Sequence, residues 1–395
     1  IGGQAIIARA MGSGNLSECD HALGQTISLG LFWSVIVGIV LWFLAPPLAT
    51  MCQLTTEAST YCVQYIRTIA CSMPFYGFML VGAMCLHGAG ETTKPSIISI
   101  QVNLLNIALS WMFSGADLRF GSRVLENPFD FDWNVFGIAL GTALSYGWGA
   151  LMTLKVLMKG VHDLKLHAAQ LPPRRSMFKR IIRVGVPNFF EGISMWAVNL
   201  FVLMFIGIIA QASVSGEGFL GAHIIAVQWE AFSFLPGFAI GTAAGALAGQ
   251  YLGAGNPRMA QQAMVACTMM AVVIMGLMGL VFMFGGHWLT SIVSNKAIHL
   301  ENTPQLLFIG GATQVFFAIT MVIRQGLRGV GDARWTFIIT TVSSYGVRLP
   351  AAYLLGVTFE LGLVGVWYAL CGEFVVRATL FSARLFHGGW KHIKV

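Results

Sequence analysis

Three glutamates, Glu191, Glu230 and Glu373, lie well inside long apolar runs, where a charged carboxylate is expensive and is a candidate for carrying a proton or a metal cation. Glu191 follows Pro187 by about one turn, and a proline withholds a backbone hydrogen bond, which frees carbonyl oxygen beside the carboxylate. Asn188 and Ser194, three residues to either side, share its general helix face and are expected to complete an oxygen-lined site for a proton or Na⁺. Glu230 has His223 seven residues before it and Gly237 seven after, so the three form one helical stripe. A His–Glu stripe relays protons or forms a satisfied structural pair. Glu373 has Arg377 at i+4, the spacing of an ion pair within one helix.

The elements that must position these groups are membrane helices. With 56% hydrophobic and 10% charged residues and a mean hydropathy of +0.74, the chain carries too little polar surface for a soluble globule, whose charged fraction is about 25%. Runs long enough to cross a ~30 Å hydrocarbon core fall at 22–44, 61–87, 93–115, 134–159, 184–210, 219–252, 262–284, 304–327, 333–357 and 361–385. Pro46-Pro47, Gly115-Ala116, Pro172-Pro173, Gly253 to Pro257 and Gly285-Gly286 are expected at their ends. Sixteen lysines and arginines, Arg9, Lys94, Arg258, Arg328, Arg334, Arg384, Lys391, Lys394 and eight between Lys155 and Arg183, fall on alternate connections. Arg119, Arg123 and Lys296 alone fall on the others. The positive-inside rule places the basic linker and the C-terminus in the cytoplasm, so the net charge of +7 requires no nucleic-acid partner. The seven cysteines, at 19, 52, 62, 71, 85, 267 and 371, have no CxxC spacing and read as reduced packing residues.

The chain is an internal duplication. Gly12-Ser13-Gly14-Asn15 returns as Gly253-Ala254-Gly255-Asn256, and Leu86-His87-Gly88-Ala89-Gly90-Glu91 as Leu327-Arg328-Gly329-Val330-Gly331-Asp332, both at an offset of 241 residues. Phe136-Gly137-Ile138 also matches Val364-Gly365-Val366 if Ala116 to Trp133 is a longer loop. The offset sets the counterpart of Phe178 about 63 residues before Ile1, so the chain is expected to start mid-helix. The fold expected is all-α and polytopic, with two pseudo-repeated six-helix lobes, twelve helices in the full protein and about ten and a half here. Residues 1–159 form the first lobe, 160–177 a cytoplasmic basic linker and 178–395 the second lobe. Two polar or small stripes add to this plan. Gly237, Gly241, Gly245, Gly249 and Gly253 recur every fourth residue, a seam for close helix approach. Ser99, Asn103, Asn106 and Ser110 form interhelical glue or a cavity wall.

Phe189, Phe190, Trp196 and Trp229 lie within a turn or so of the carboxylates, and aromatic faces beside carboxylates suit bulky, flat organic cations. The sequence from Gly249 to Pro257, the repeated Leu-x-Gly-x-Gly-acid, Asn103-Leu104-Leu105-Asn106 and Pro187-Asn188-Phe189-Phe190-Glu191 resemble the multidrug and toxic compound extrusion (MATE) family. The resemblance implies a monomeric antiporter of the cell membrane, with two lobes enclosing a V-shaped cavity and both ends of the full protein cytoplasmic. Such a protein exports organic cations and drugs against inward Na⁺ or H⁺ flow and needs no cofactor. Glu191 matches the seventh-helix glutamate used for cation coupling, while the tenth-helix aspartate of the sodium-coupled branch is matched by Phe317 and its neighbouring tyrosine by Thr313. Asn106 matches the fifth-helix asparagine, with Ser110 where one branch has an aspartate. Glu191, Glu230, Asn188 and Ser194 are therefore the expected cation-coupling set, with Glu191 the candidate Na⁺ position. Phe190, Trp196, Trp229, Phe317 and Asn106 are the expected substrate-cavity set. A lone carboxylate in an apolar cavity favours H⁺ over Na⁺. A lipid-linked oligosaccharide flippase of the same superfamily is the alternative, with Arg324 and Arg348 as cavity cations. No HExxH, GxSxG or DDxxD-like cluster points to an enzyme.

Overall fold

The computed structural model describes residues 2–51, 55–120, 123–129, 131–161, 164–213 and 218–393, with the backbone alone for 118–120 and 123. Ile1, Cys52, Lys394 and the side chains of Arg119 and Arg123 lie outside the described residues. The protein is an all-α, multi-pass membrane protein. Its helices are α1 (Gly2–Gly12), α2 (Leu16–Met51), α3 (Thr56–Gly88), α4 (Thr93–Ser114), α5 (Asn134–Lys159), α6 (Arg175–Ala212), α7 (Phe219–Gly253), α8 (Pro257–Val293), α9 (Ala297–Gly329), α10 (Ala333–Ser343), α11 (Leu349–Tyr353) and α12 (Gly362–His387). Nine helices among the described residues are long and apolar enough to cross a membrane. The remaining expected span, 333–357, is present but split: a wide π turn at Ser344–Arg348 separates α10 from α11, and a second follows at Leu354–Thr358. Pro350 has no N–H to return to the preceding turn and its ring crowds that turn's carbonyl, so the helix widens just before it.

Chain contacts divide the molecule into two compact units, 15–179 and 180–395 joined by 1–14. The division departs from the sequence-based one at the N-terminus. Residues of α1 belong with the second half, because Ala8 and Arg9 lie against Gly249 and Gly253 of α7, and Arg9 donates to the Val330 and Ile393 carbonyls at 2.9 and 2.6 Å. The linker is also less separate than its composition suggests. In the first unit Gln25 of α2 donates to the carbonyls of Gln170 and Pro172 at 2.6 and 2.7 Å and accepts from the Arg174 N–H at 2.6 Å, fastening residues 170–174 along α2.

The repeat is visible in matching helix ends. Gly14 and Gly255 have φ of 73° and 74°, and Gly90 and Gly331 have 86° and 88°, the left-handed conformation that closes a helix at a glycine. The N–H groups of Glu91 and Asp332 each reach back to the carbonyls of Leu86 and Leu327 at 2.9 Å. The third match holds as well: at Gly137 and at Gly365 a Cβ would collide with a carbonyl at the end of the preceding span, Phe113 in one unit and Leu355 in the other. The insertion between Ala116 and Trp133 contains a short antiparallel hairpin, β1 (Leu118–Phe120) with β2 (Arg123–Leu125).

Two punctuation marks fall inside helices instead of at their ends. Pro46-Pro47 lies within α2, and the Trp42 carbonyl that Pro46 cannot bond accepts from Arg67 Nε at 3.5 Å, which lets the helix run on. Gly285-Gly286 lies within α8, where Gly286 packs against Pro304 of α9. Four of the six described cysteines are buried.

The most buried long helix is α9, which packs on α7, α8 and α12. The glycine stripe of α7 faces it. A Cβ at Gly245 would sit 2.8 Å from the Gln325 carbonyl oxygen, and one at Gly249 would sit 3.0 Å from the Gly329 carbonyl and 2.7 Å from the Ala8 methyl. At Gly237 the obstacle is the end of the flexible Met275 side chain. Gly245→Leu is therefore expected to lower the yield of monodisperse protein in size-exclusion chromatography several-fold, while Gly237→Ala is tolerated. Equal yields for the two variants would remove the seam from the α7–α9 contact.

Candidate functional site

The second unit contains a cavity of about 510 Å³ walled by α6, α7, α9, α12 and the first π turn. Its aromatic wall is Trp196, Phe234, Phe317, Trp367 and Phe374, with Phe317 stacked on Phe374 at 4.5 Å between ring centres. Its polar lining includes His223, Gln228, Glu230, Arg324, Arg348 and Arg377.

Two ion-pair clusters built on the fully buried carboxylates of Glu191 and Glu373 flank this space. Glu191 of α6 meets Arg328 Nη2 at 2.6 Å and Arg324 Nη1 at 3.6 Å, both from α9, and accepts a hydrogen bond from the Thr340 hydroxyl of α10 at 2.8 Å. Arg324 and Arg328 are one turn apart, so both reach the same carboxylate. Glu373 of α12 accepts from Arg377 Nε at 2.6 Å and from Arg348 Nη2 at 2.9 Å. Arg377 is anchored further, donating to the hydroxyls of Ser343 and Ser344 at 3.1 and 2.8 Å. The first π turn thus supplies Ser344 at one end and Arg348 at the other.

These contacts change the expected cation site. Asn188 and Ser194 do not complete an oxygen shell around Glu191: the Asn188 amide donates to the Val184 carbonyl at 2.8 Å, the Ser194 carbonyl accepts from Tyr345, and the neighbours of Glu191 are guanidinium groups. Glu191 is not the lone carboxylate expected. Two positive charges beside it oppose Na⁺ there. The spacing within one helix carried no sign of this, since Arg328 reads as an inner-edge topology charge and Thr340 as an ordinary apolar-span threonine. The i+4 reading of Glu373 with Arg377 was legible, and Arg348 joins that pair from the split span.

Glu230 is different. It is half-buried in the cavity wall and, among the described residues, has no ion pair or hydrogen bond. Its carboxylate lies against the bare backbone of Gly310, where a Cβ would come within 2.9 Å of Oε1 and 3.1 Å of the Trp367 ring. His223 also lines the cavity, but its Nδ1 accepts from Trp367 Nε1 at 3.1 Å and the rings meet edge-on, a structural tie.

Of the aromatic positions expected, Trp196 and Phe317 line the cavity. Trp229 does not. One residue from Glu230 on a helix is about 100° around it, and its Nε1 donates to the Leu289 carbonyl at 3.1 Å with the ring packed on the apolar core. Phe190, beside Glu191, is exposed and packs edge-on with Phe189, away from this space. Asn106 lies in the first unit, where it donates to Thr142 Oγ1 at 2.8 Å and ties α4 to α5.

Removing one partner from a buried ion pair costs about 3–5 kcal/mol because the other charge is left uncompensated. Glu373→Gln leaves Arg348 and Arg377 facing each other without a carboxylate. It is expected to lower the thermal midpoint of the detergent-solubilised protein markedly, read by intrinsic tryptophan fluorescence. An unchanged midpoint would mean that this cluster does not hold α12 to the split span.

Comparison with known proteins accords with this architecture. The MatE family profile matches residues 1–112 and 187–354. The chain is 28% identical over 396 aligned positions to the probable multidrug resistance protein NorM of Thermotoga maritima, covering 99% of this chain and 81% of that one. It is 25% identical to the multidrug resistance protein MdtK of Yersinia pseudotuberculosis, covering 96% of this chain and 81% of the relative. An outward-facing multidrug resistance MATE family transporter of the MOP superfamily matches with a TM-score of 0.87 at 19% identity, over 98% of this chain and 83% of that structure, a likeness of fold. With the repeated glycine turns in place and the family profile covering most of the sequence, the chain belongs to the MatE family of membrane transporters.

Proposed function

We propose that this protein is a proton-driven multidrug exporter of the cell membrane, acting as a monomer with its basic linker in the cytoplasm, that carries flat amphiphilic organic cations through the second-unit cavity. In this reading Glu230 is the group for which the proton and the cationic end of the substrate compete. The observation that carries it is the Glu230 carboxylate, unpartnered among the described residues, in an aromatic-walled cavity. An ionised carboxylate with no ion pair inside a membrane favours either a proton or a cationic ligand. Exchange of one for the other couples inward proton flow to outward export, with the proton released where the pH is higher and the cation released where it is lower.

Magnitudes decide between the candidate carriers. Protonating Glu191 or Glu373 breaks a buried ion pair, at a cost of about 3–5 kcal/mol, whereas Glu230 loses no such partner. The choice of ion follows from the same surroundings. Na⁺ needs several oxygen ligands, while the Glu230 carboxylate rests on Gly310 and Trp367 and shares its wall with the Arg348 guanidinium. A proton needs only the carboxylate itself.

Efflux of a cationic dye from proteoliposomes, driven by an imposed pH gradient in sodium-free buffer, tests the reading. Glu230→Gln is expected to insert normally and to reduce driven efflux to the protein-free rate. Glu191→Gln is expected to lower folded yield while the protein that does fold retains coupling. Wild-type efflux by Glu230→Gln would overturn the assignment, and transport that begins only when Na⁺ is added would overturn the proton.

A further inference from the structure

The two ion-pair clusters are unevenly matched, and the imbalance falls on the side of the cavity. Four guanidinium groups, of Arg324, Arg328, Arg348 and Arg377, share the two carboxylates of Glu191 and Glu373. Arg328 and Arg377 hold the closer positions, and Arg377, which also lines the cavity, is occupied by Glu373, Ser343 and Ser344. Arg324 is left at 3.6 Å from Glu191, beyond hydrogen-bond length, and Arg348 has a single bond to Glu373. Both under-used arginines line the cavity, and among the described residues the Nε of each is buried with no hydrogen-bond partner. The Arg348 residue is only 4% exposed. Its guanidinium lies 5.5 Å from the centre of the Phe374 ring, which continues into the Phe317 stack.

We infer that Arg324 and Arg348 form a binding site for an anionic group, a carboxylate, sulfonate or phosphate, carried by an aromatic or apolar molecule that lies along Phe317 and Phe374. Buried guanidinium donors without partners are costly, and an oxyanion that accepts from them removes that cost. A cavity of about 510 Å³ holds a molecule of two or three rings. The same cavity then has two poles, an arginine pole and the Glu230 carboxylate, so beside organic cations it accepts molecules that carry an acidic group. The inference takes from the proposed function only that this cavity is where substrate binds, and equilibrium binding reads it without any transport.

The probe is dansylglycine, an aromatic carboxylate, compared with its uncharged amide. Both are titrated by fluorescence against the full chain in phosphatidylcholine nanodiscs, with empty nanodiscs subtracted. Saturable binding of the acid at least about tenfold tighter than the amide is expected, the worth of a charge-assisted hydrogen bond. Arg324→Gln and Arg348→Gln are each expected to weaken the acid about tenfold and leave the amide unchanged. Glu230→Gln removes a like charge and is expected to tighten the acid, although the same variant abolishes driven efflux under the proposed function. The two readings therefore fail separately. Phosphatidylglycerol doped into the nanodisc displaces the probe if the natural occupant is a lipid headgroup and leaves it bound if the occupant is a soluble organic anion. Equal affinity for acid and amide in the wild-type protein would overturn the site, whatever the stability of the variants. So would undiminished acid binding in both arginine variants.

Discussion

A charge inside a membrane-spanning unit must be answered by another charge, a proton or a ligand, and the second unit is arranged around that constraint. An unpaired ionised side chain at the centre of a helix costs about 2.5–3.5 kcal/mol on insertion scales, so buried groups of this kind persist in pairs. Glu191 ties α6 to α9 and α10, and Glu373 ties α12 to the split span. Five helical segments are thereby joined by two carboxylates. The apolar contacts of Val202, Ile206, Phe282 and Trp367 fill the space between them but carry little orientation of their own.

Close backbone approach makes those pairs reachable. Arg324 and Arg328 sit on the stretch of α9 that α7 meets through Gly241, Gly245 and Gly249. Side chains along that stripe would push α9 away, and with it the two guanidinium groups. The left-handed glycines that end α7 and α9 act at the same level, since they set where each helix stops and the next begins. Packing and electrostatics are therefore one design in this unit: the seam brings the helix, and the helix brings the charge.

The sequence made the scaffold legible and the pairing only in part. Spans and the repeated turn glycines follow from local composition and from one offset; nine spans reappear as continuous helices, and the repeated glycines have matched φ values. The Glu373–Arg377 pair was readable because both residues lie on one helix at i+4. The Glu191 environment was not, because its partners come from 133, 137 and 149 positions further along the chain. The same limit explains the aromatic residues. Nearness in sequence to a glutamate suggested Phe190 and Trp229, yet a one-residue step on a helix turns a side chain to another face, and Trp229 bonds to α8. A continuous span at 333–357 was expected from hydropathy. Hydropathy is blind to the extra residue per turn that Pro350 draws in.

That widened turn connects the fold to its chemistry. π turns are rare in helices and recur at functional sites, because an extra residue re-aims the side chains on either side of it. Here the turn runs from Ser344, which fixes Arg377, to Arg348, which bonds Glu373 with one nitrogen and lies over Phe374 at the cavity wall. A regular helix through the same residues would place Arg348 about 40° past Ser344, whereas the wider turn aims it differently. The uneven pairing at this wall and the unpartnered Glu230 across the same cavity are thus properties of one site. The helices that bury its charges leave one carboxylate and two arginines short of partners where a ligand fits.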